Sequence, residues 1–275
     1  MIKLGSHISF KSPNYLVGAV EESLANKANC MMIYLGAPQT TKRVSVEKYL
    51  IDQYNQFFKE IIVPEDIIVH APYITNAANP EKYKFAVDFL IQEIERMNKI
   101  GAKYLVLHPG AYTSFDPKTS LDTLVSSLKY IISKTKDVVI CIETMSGKGS
   151  EIGINYEQIM YLIENVNHER VQVCLDTCHI WDAGYNIQDY DNFKDELKSS
   201  GIYKHIRVIH LNDSKNDLNS HKDRHENIGE GKIGFDTLYK IVHDPDFDNI
   251  PIILETPWVD DKPIYDQEIK KLLGK

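Results

Sequence analysis

The feature that most constrains this chain of 275 residues is an alternation, eight times over, of a short apolar run and a longer stretch with helical spacing. The apolar runs are Ile2–Ile8, Cys30–Leu35, Ile67–Tyr73, Tyr104–His108, Val138–Glu143, Val171–Asp176, Ile206–Leu211 and Pro251–Glu255. They are rich in Val, Ile and Leu, as strands covered on both faces must be. Strand and helix alternating, with no Pro/Gly/Ser-rich linker between them, predict an α/β fold. The expectation is a single (β/α)8 TIM barrel domain over residues 1–275, with its active site at the C-terminal ends of the strands. An open doubly wound sheet is the alternative. It would usually carry a glycine-rich phosphate loop after the first strand, and Gly5-Ser6-His7-Ile8-Ser9 is not one.

The intervening segments read as amphipathic helices. In Pro80–Ile100 the residues Phe85, Phe89, Leu90, Ile94, Met97 and Ile100 fall three or four apart, with Asn79 as N-cap and Gly101 as stop. Val46, Leu50, Tyr54, Phe57, Phe58 and Ile61 mark another, and Asn155 with Gln158 resembles a capping box. Further helices are expected over Pro13–Ala28, Lys118–Lys134, Asp189–Ser199, Phe235–Val242 and Ile264–Leu273.

Against that map the metal-capable side chains are ordered. His70, His108, Glu143, Asp176, His210 and Glu255 stand at or near the ends of six consecutive runs. A barrel converges its strand ends on one face, so these residues would crowd into one pocket. One polar residue at a strand end is unremarkable. Six in succession, drawn from His, Asp and Glu, would repel or resist burial unless something positive held them. His179, three residues past Asp176, and the pair Asp223 and His225 join from loops on the same face. Imidazole and carboxylate donors without thiolate suit zinc and admit manganese or iron. Nine donors are too many for one ion and suit about three. His168, His205 and His243 precede strands and belong to the opposite end, as surface residues; His7 is a candidate for the pocket, and His221 is ambiguous.

Composition is compatible with this. Hydrophobic residues make up 43% and charged residues 25%, ordinary for a globular protein. No run approaches a membrane span, and the N-terminus shows no signal-peptide pattern, so a cytoplasmic location is expected. Cys30, Cys141, Cys174 and Cys178 are too scattered for a disulfide framework. The net charge of −8 disfavours nucleic acid, but three divalent cations would bring it to about −2, with the gain where a phosphate would sit.

The stretches HAPY, LHPGA, IET, CLDTCH, HLNDSKND and DRHENIGEG (residues 223–231) resemble the endonuclease IV family of abasic-site endonucleases, over nearly the whole chain. The resemblance implies a trinuclear zinc site. His70, His108 and Glu143 would hold one ion. Glu143 would bridge to a second, completed by Asp176, His210 and Glu255, and His179, Asp223 and His225 would hold the third. It implies hydrolysis of the phosphodiester 5′ to abasic sites in double-stranded DNA, leaving a 3′-hydroxyl, with cleaning of blocked 3′ ends. Metal-bound hydroxide would be the nucleophile, with Glu143 and Glu255 as the catalytic carboxylates. Gln39, Tyr73 and Arg224 would contact DNA, helped by Lys42, Arg43, Lys215, Lys222 and Lys232; Tyr73 and the Gln39 region would stabilise a flipped-out nucleotide. A monomer is expected. Two other readings fit parts of the pattern: a sugar isomerase or epimerase with a single Mn²⁺ or Mg²⁺, and a non-catalytic damage-binding module.

Overall fold

The computed structural model describes residues 1–274. Eight parallel strands close into a barrel: β1 (Lys3–His7), β2 (Cys30–Ile33), β3 (Ile67–His70), β4 (Tyr104–Leu107), β5 (Val139–Glu143), β6 (Val171–Asp176), β7 (Ile206–His210) and, after a small hairpin, β10 (Pro251–Leu254). Closure is made where β1 pairs with β10, Lys3 opposite Pro251 and Ser6 opposite Leu254, while its other edge pairs with β2. The hairpin strands β8 (Asp213–Ser214) and β9 (His225–Glu226) are antiparallel and lie on the loop after β7. Helices α1 (Tyr15–Ala25), α2 (Ile51–Phe57), α3 (Tyr83–Ile100), α4 (Pro117–Lys134), α5 (Tyr156–Val166), α6 (Thr177–Asp182), α7 (Tyr190–Ser199), α8 (Phe235–Val242) and α9 (Tyr265–Leu272) fill the connections. The expected TIM barrel is the fold found.

The strand residues divide by parity, because successive side chains point to opposite faces. One set, including Ile67, Val69, Leu105 and Leu175, joins the main core. The other set, Cys30, Met32, Ile68, Val106, Cys141, Cys174, Val208 and Ile253, forms a separate buried cluster. Two residues beyond members of this second set stand His70, His108, Glu143, Asp176, His210 and Glu255. Strand pairing therefore fixes where the six side chains go before any ligand is considered. Applied to β1 and β2, the same parity places His7 two past Gly5 and Tyr34 two past Met32.

Several local expectations change. Val46 to Ile61 is not one helix: a 3-10 turn (Val46–Lys48) and α2 are separated at Leu50, whose φ of 60° is left-handed. Tyr49 and Tyr54 are both fully buried. Five residues apart on a continuous helix they would point about 140° apart, so the break lets both turn inward. Asn79 behaves as a cap, accepting from the Glu81 and Lys82 N–H groups at 3.0 and 3.1 Å, but regular helix starts only at Tyr83. Asn155 accepts from the Gln158 N–H at 2.8 Å, while Gln158 reaches back to Gly153 and Ile154. His168 and His243 are exposed, and His205 is half-buried against Gln172.

Arg43 is a correction of function as well as of position. Its guanidinium does not reach outward toward DNA. Its side chain is 1% exposed, its Nε donates to both oxygens of buried Glu93 at 2.9 and 3.1 Å, and its Nη1 donates to the Thr40 and Lys42 carbonyls. The guanidinium carbon lies 4.9 Å from the Phe89 ring centre. Arg43 thus pins the loop after β2 onto α3. Arg43→Ala would leave Glu93 buried beside Arg96 alone, and urea unfolding is expected to show a loss of about 3–5 kcal/mol. A loss under about 1 kcal/mol, as for an exposed pair, would contradict this role.

Candidate metal centre

All nine side chains anticipated as donors meet at the C-terminal mouth of the barrel, joined through contacts of 3.9 Å or less. His70, Glu143, Asp176 and His210 end their strands; His108 and Glu255 come one residue later. Asp176 also caps α6, accepting from the His179 N–H at 2.8 Å, and that short helix turns the His179 ring into the cluster. Asp223 and His225 arrive from the loop holding the β8–β9 hairpin.

The imidazoles are aimed by main-chain carbonyls. His70 Nδ1 lies 2.6 Å from Ala71 O, His179 Nδ1 2.9 Å from Thr144 O, and His225 Nδ1 3.1 Å from Glu255 O. Each of these nitrogens must donate its hydrogen to the carbonyl, so Nε2 is the atom that carries the lone pair whenever the ring binds metal. Those Nε2 atoms face carboxylates. His70 Nε2 is 3.2 Å and His108 Nε2 3.0 Å from the same oxygen of Glu143. His179 Nε2 is 3.0 Å from Asp223 Oδ1, and His225 Nε2 is buried with no hydrogen-bond partner, 3.6 Å from the same oxygen. His210 Nδ1 has oxygens of Glu143, Glu255 and Asp176 at 3.0, 2.9 and 3.8 Å. A single N–H cannot serve three acceptors.

Lone pairs directed at one another in a buried site call for a cation between them. Ligands about 2.0–2.2 Å from a zinc-like ion lie roughly 3.3–3.6 Å from one another in a tetrahedron. The donor separations of 2.9 to 3.9 Å bracket that spacing. Overlapping donor groups that could hold an ion include His70, His108 and Glu143; Glu143, Asp176, His210 and Glu255; and Asp176, His179 and His225, with His70, His210 and Glu255, and Glu143, Cys174 and His210, as further combinations. The residues fit divalent metal.

Without metal, protons take over the same task. Burial opposes charge on His179, but Asp176 and Asp223 outweigh it and hold its pKa well above the ordinary value. Burial likewise opposes charge on His210, and neighbours including Cys174, Glu255 and Glu143 raise its pKa well above normal. Burial would raise Glu143, yet His210 and His108 pull it well below the usual carboxylate range. Asp223, raised by burial but lowered more by His179, falls to about 2.

Sequence reading missed several supporting groups. Tyr34 is inserted between His7 and His70, with ring centres 5.2 and 4.9 Å away, so the mouth layer continues through β1 and β2 with residues that are not in the donor set. Asn212 donates to Asp176 Oδ2 at 2.8 Å and accepts from the Glu255 N–H at 2.9 Å. The Thr144 hydroxyl accepts from the Asp176 N–H, and Thr177 donates to Asn212 O. A repeated signal was present, since Thr follows Glu143, Asp176 and Glu255 alike. Around the rim, Gln39, Lys42, Lys222 and Arg224 are exposed, and Tyr73 is 50% exposed. Lys215 and Lys232 pair loosely with Glu226 and Asp217. Lys148, near enough to help keep Asp223 ionised, and Trp258, 61% exposed three residues past Glu255, were not anticipated. His221 is held outside the donor set by Ser146 O.

These pairings set opposite pH dependences. In chelator-treated protein the charged His179 and His210 rings stabilise the fold fully below the unfolded value of 6.5, and this is lost as pH rises through their raised folded values. Asp223 contributes above its unfolded value of 3.8 and loses its contribution only as pH falls through about 2. The melting temperature of metal-free protein is therefore expected to fall as pH rises above 6.5. Metal-loaded protein should gain over the same range, because ligands must lose protons to bind. Parallel thermal profiles would show that the rings do not exchange protons for metal.

A family model described as a xylose isomerase-like TIM barrel matches residues 20–274. The probable endonuclease 4 of Mycoplasmopsis synoviae (strain 53) is 70% identical over 275 residues, covering 100% of this chain and 99% of that protein. That of Mycoplasmopsis agalactiae is 68% identical over 273 residues, covering 99% and 98%. The crystal structure of endonuclease IV from Thermus thermophilus superposes with a TM-score of 0.85 at 26% identity, covering 99% of both chains. With the nine-donor mouth, the barrel and these whole-length matches together, the chain belongs to the endonuclease IV family.

Proposed function

We propose that this protein is a zinc-dependent DNA-repair endonuclease that hydrolyses the phosphodiester 5′ to abasic sites in duplex DNA, leaving a 3′-hydroxyl, and also clears blocked 3′ ends. One observation carries the reading. Five imidazoles and four carboxylates form a connected cluster in which donor lone pairs oppose one another, more donors than one ion can use. The names of the whole-length relatives support the substrate class.

In this reading His70, His108 and Glu143 hold one zinc, Glu143, Asp176, His210 and Glu255 a second, and His179, Asp223 and His225 a third. Such ions, when bound, lower the pKa of water and offset charge on phosphate oxygens. The chain's residues supply the rest. Glu143 presents one oxygen to His70 and His108 and the other to His210 and His179, which suits a carboxylate shared between two ions. Glu255 is 17% exposed at the mouth and, against the cost of burial, is kept anionic by His210, so it can orient the attacking water. Tyr73, Gln39 and Arg224 contact the DNA, Tyr73 beside the displaced nucleotide.

A one-metal sugar isomerase or epimerase would leave His179, Asp223 and His225 without a task. Metal analysis separates the two: three ions per chain are expected, and one would favour the isomerase. Zinc-replete protein should nick a duplex carrying one tetrahydrofuran abasic analogue; intact product would instead favour a non-catalytic damage binder. Glu143→Ala is expected to lose metal and reduce incision to background, and retention of both would end the bridging role. Tyr73→Ala should weaken binding of the abasic duplex roughly 5- to 150-fold, the equivalent of about 1–3 kcal/mol of stacking. Its zinc content should not change; zinc loss would make Tyr73 structural.

A further inference from the structure

Two buried carboxylates outside the donor cluster grip the loop that delivers Asp223 and His225. Asp213, 0% exposed, accepts from five backbone N–H groups: Ser214 at 2.8 Å, Ile233 at 2.9 Å, Gly229 at 3.0 Å, Gly231 at 3.1 Å and Gly234 at 3.3 Å. Asp182, also 0% exposed, accepts from the Ser214 hydroxyl at 2.7 Å, the Asp223 N–H at 2.8 Å and the Asn216 side chain at 3.3 Å. Among the described residues these donors are all neutral. A carboxylate buried without a cation is costly unless its oxygens are satisfied, and here several N–H and O–H donors satisfy them. Gly231 has no room for a side chain, since a Cβ there would overlap Ser214 O and Asp213 Oδ1.

The two grips meet at Ser214, which lies in β8 opposite His225 in β9. Asp182 fixes the main chain at Asp223, and Asp213 gathers the glycine-rich turn that follows His225. We propose that Asp182 and Asp213 are positioning residues that preform the third ion's half-site, His179, Asp223 and His225, before metal arrives. His70, His108, Glu143 and His210 need no such help, because they sit on or next to barrel strands. The inference rests on the three-ion reading for its metal consequence, but not for the preformed loop.

The test uses full-length protein, with zinc counted by mass spectrometry and amide exchange followed after chelation. In metal-free wild type the Gly229, Gly231 and Ile233 amides should stay slow. In Asp213→Asn they should become fast, because an amide side chain cannot accept from the whole set. Asp213→Asn and Asp182→Asn should each fall from three zinc ions per chain to two, with affinity for the third ion weaker by about 10- to 100-fold. Excess zinc should restore the third ion and incision to Asp182→Asn, which would not follow from general loss of structure. If Asp213→Asn does not fold, Asp182→Asn and Gly231→Ala carry the same measurement. Fast exchange at those amides in metal-free wild type would overturn the proposal. So would folded variants that retain three ions with unchanged resistance to chelator. Fewer than three ions on wild type would overturn the three-ion reading, while the exchange arm would still decide the clamp.

Discussion

The structure turns on one electrostatic conflict: carboxylate oxygens and imidazole nitrogens are forced together at a barrel mouth where His70, Glu143, Asp176, His179 and His210 are buried. Four carboxylates and five rings share the barrel mouth, and several of their closest approaches join a ring nitrogen and a carboxylate oxygen that are both acceptors once the ring is neutral. Such an arrangement costs free energy unless positive charge enters it. The shifted titration of Glu143, His179, His210 and Asp223 is that conflict resolved by protons. Metal ions resolve it with fewer contradictions, since one ion satisfies several lone pairs that a single N–H cannot.

The barrel turns a linear pattern into this convergence. Its strands alternate in two-residue steps, so a donor two places beyond Ile68, Val106, Cys141, Cys174, Val208 or Ile253 reaches the mouth. This is why the six strand-end donors were legible from order and spacing alone. The loop donors were legible for a different reason, because His179 follows Asp176 by about one helical turn and Asp223 stands two before His225. The short helix α6, capped by the same Asp176, is what makes the first of those spacings effective.

What the sequence hid depends on partners far along the chain. Arg43 reads as a free cation beside Lys42, and only the packing of α3 against its loop reveals Glu93 beneath it. Tyr34 sits one residue past the end of β2, where neither charge nor motif marks it; strand parity alone would have found it. The break at Leu50 follows from burying Tyr49 and Tyr54 together, a tertiary demand that overrides helical periodicity. Asp213 reads as one more acid in a polar motif until five main-chain amides are seen to converge on it.

The rings of His70, His179 and His225 take their orientation from carbonyls of Ala71, Thr144 and Glu255. Every residue type has a carbonyl, so exchanging the side chain at position 71 or 144 would leave the corresponding ring's anchor chemically in place. The ring-to-carbonyl contact itself is therefore insulated from a change of side chain at the residue that supplies the carbonyl. It is vulnerable instead to anything that rotates a peptide plane, such as an inserted residue or a proline in the turns just past the strands.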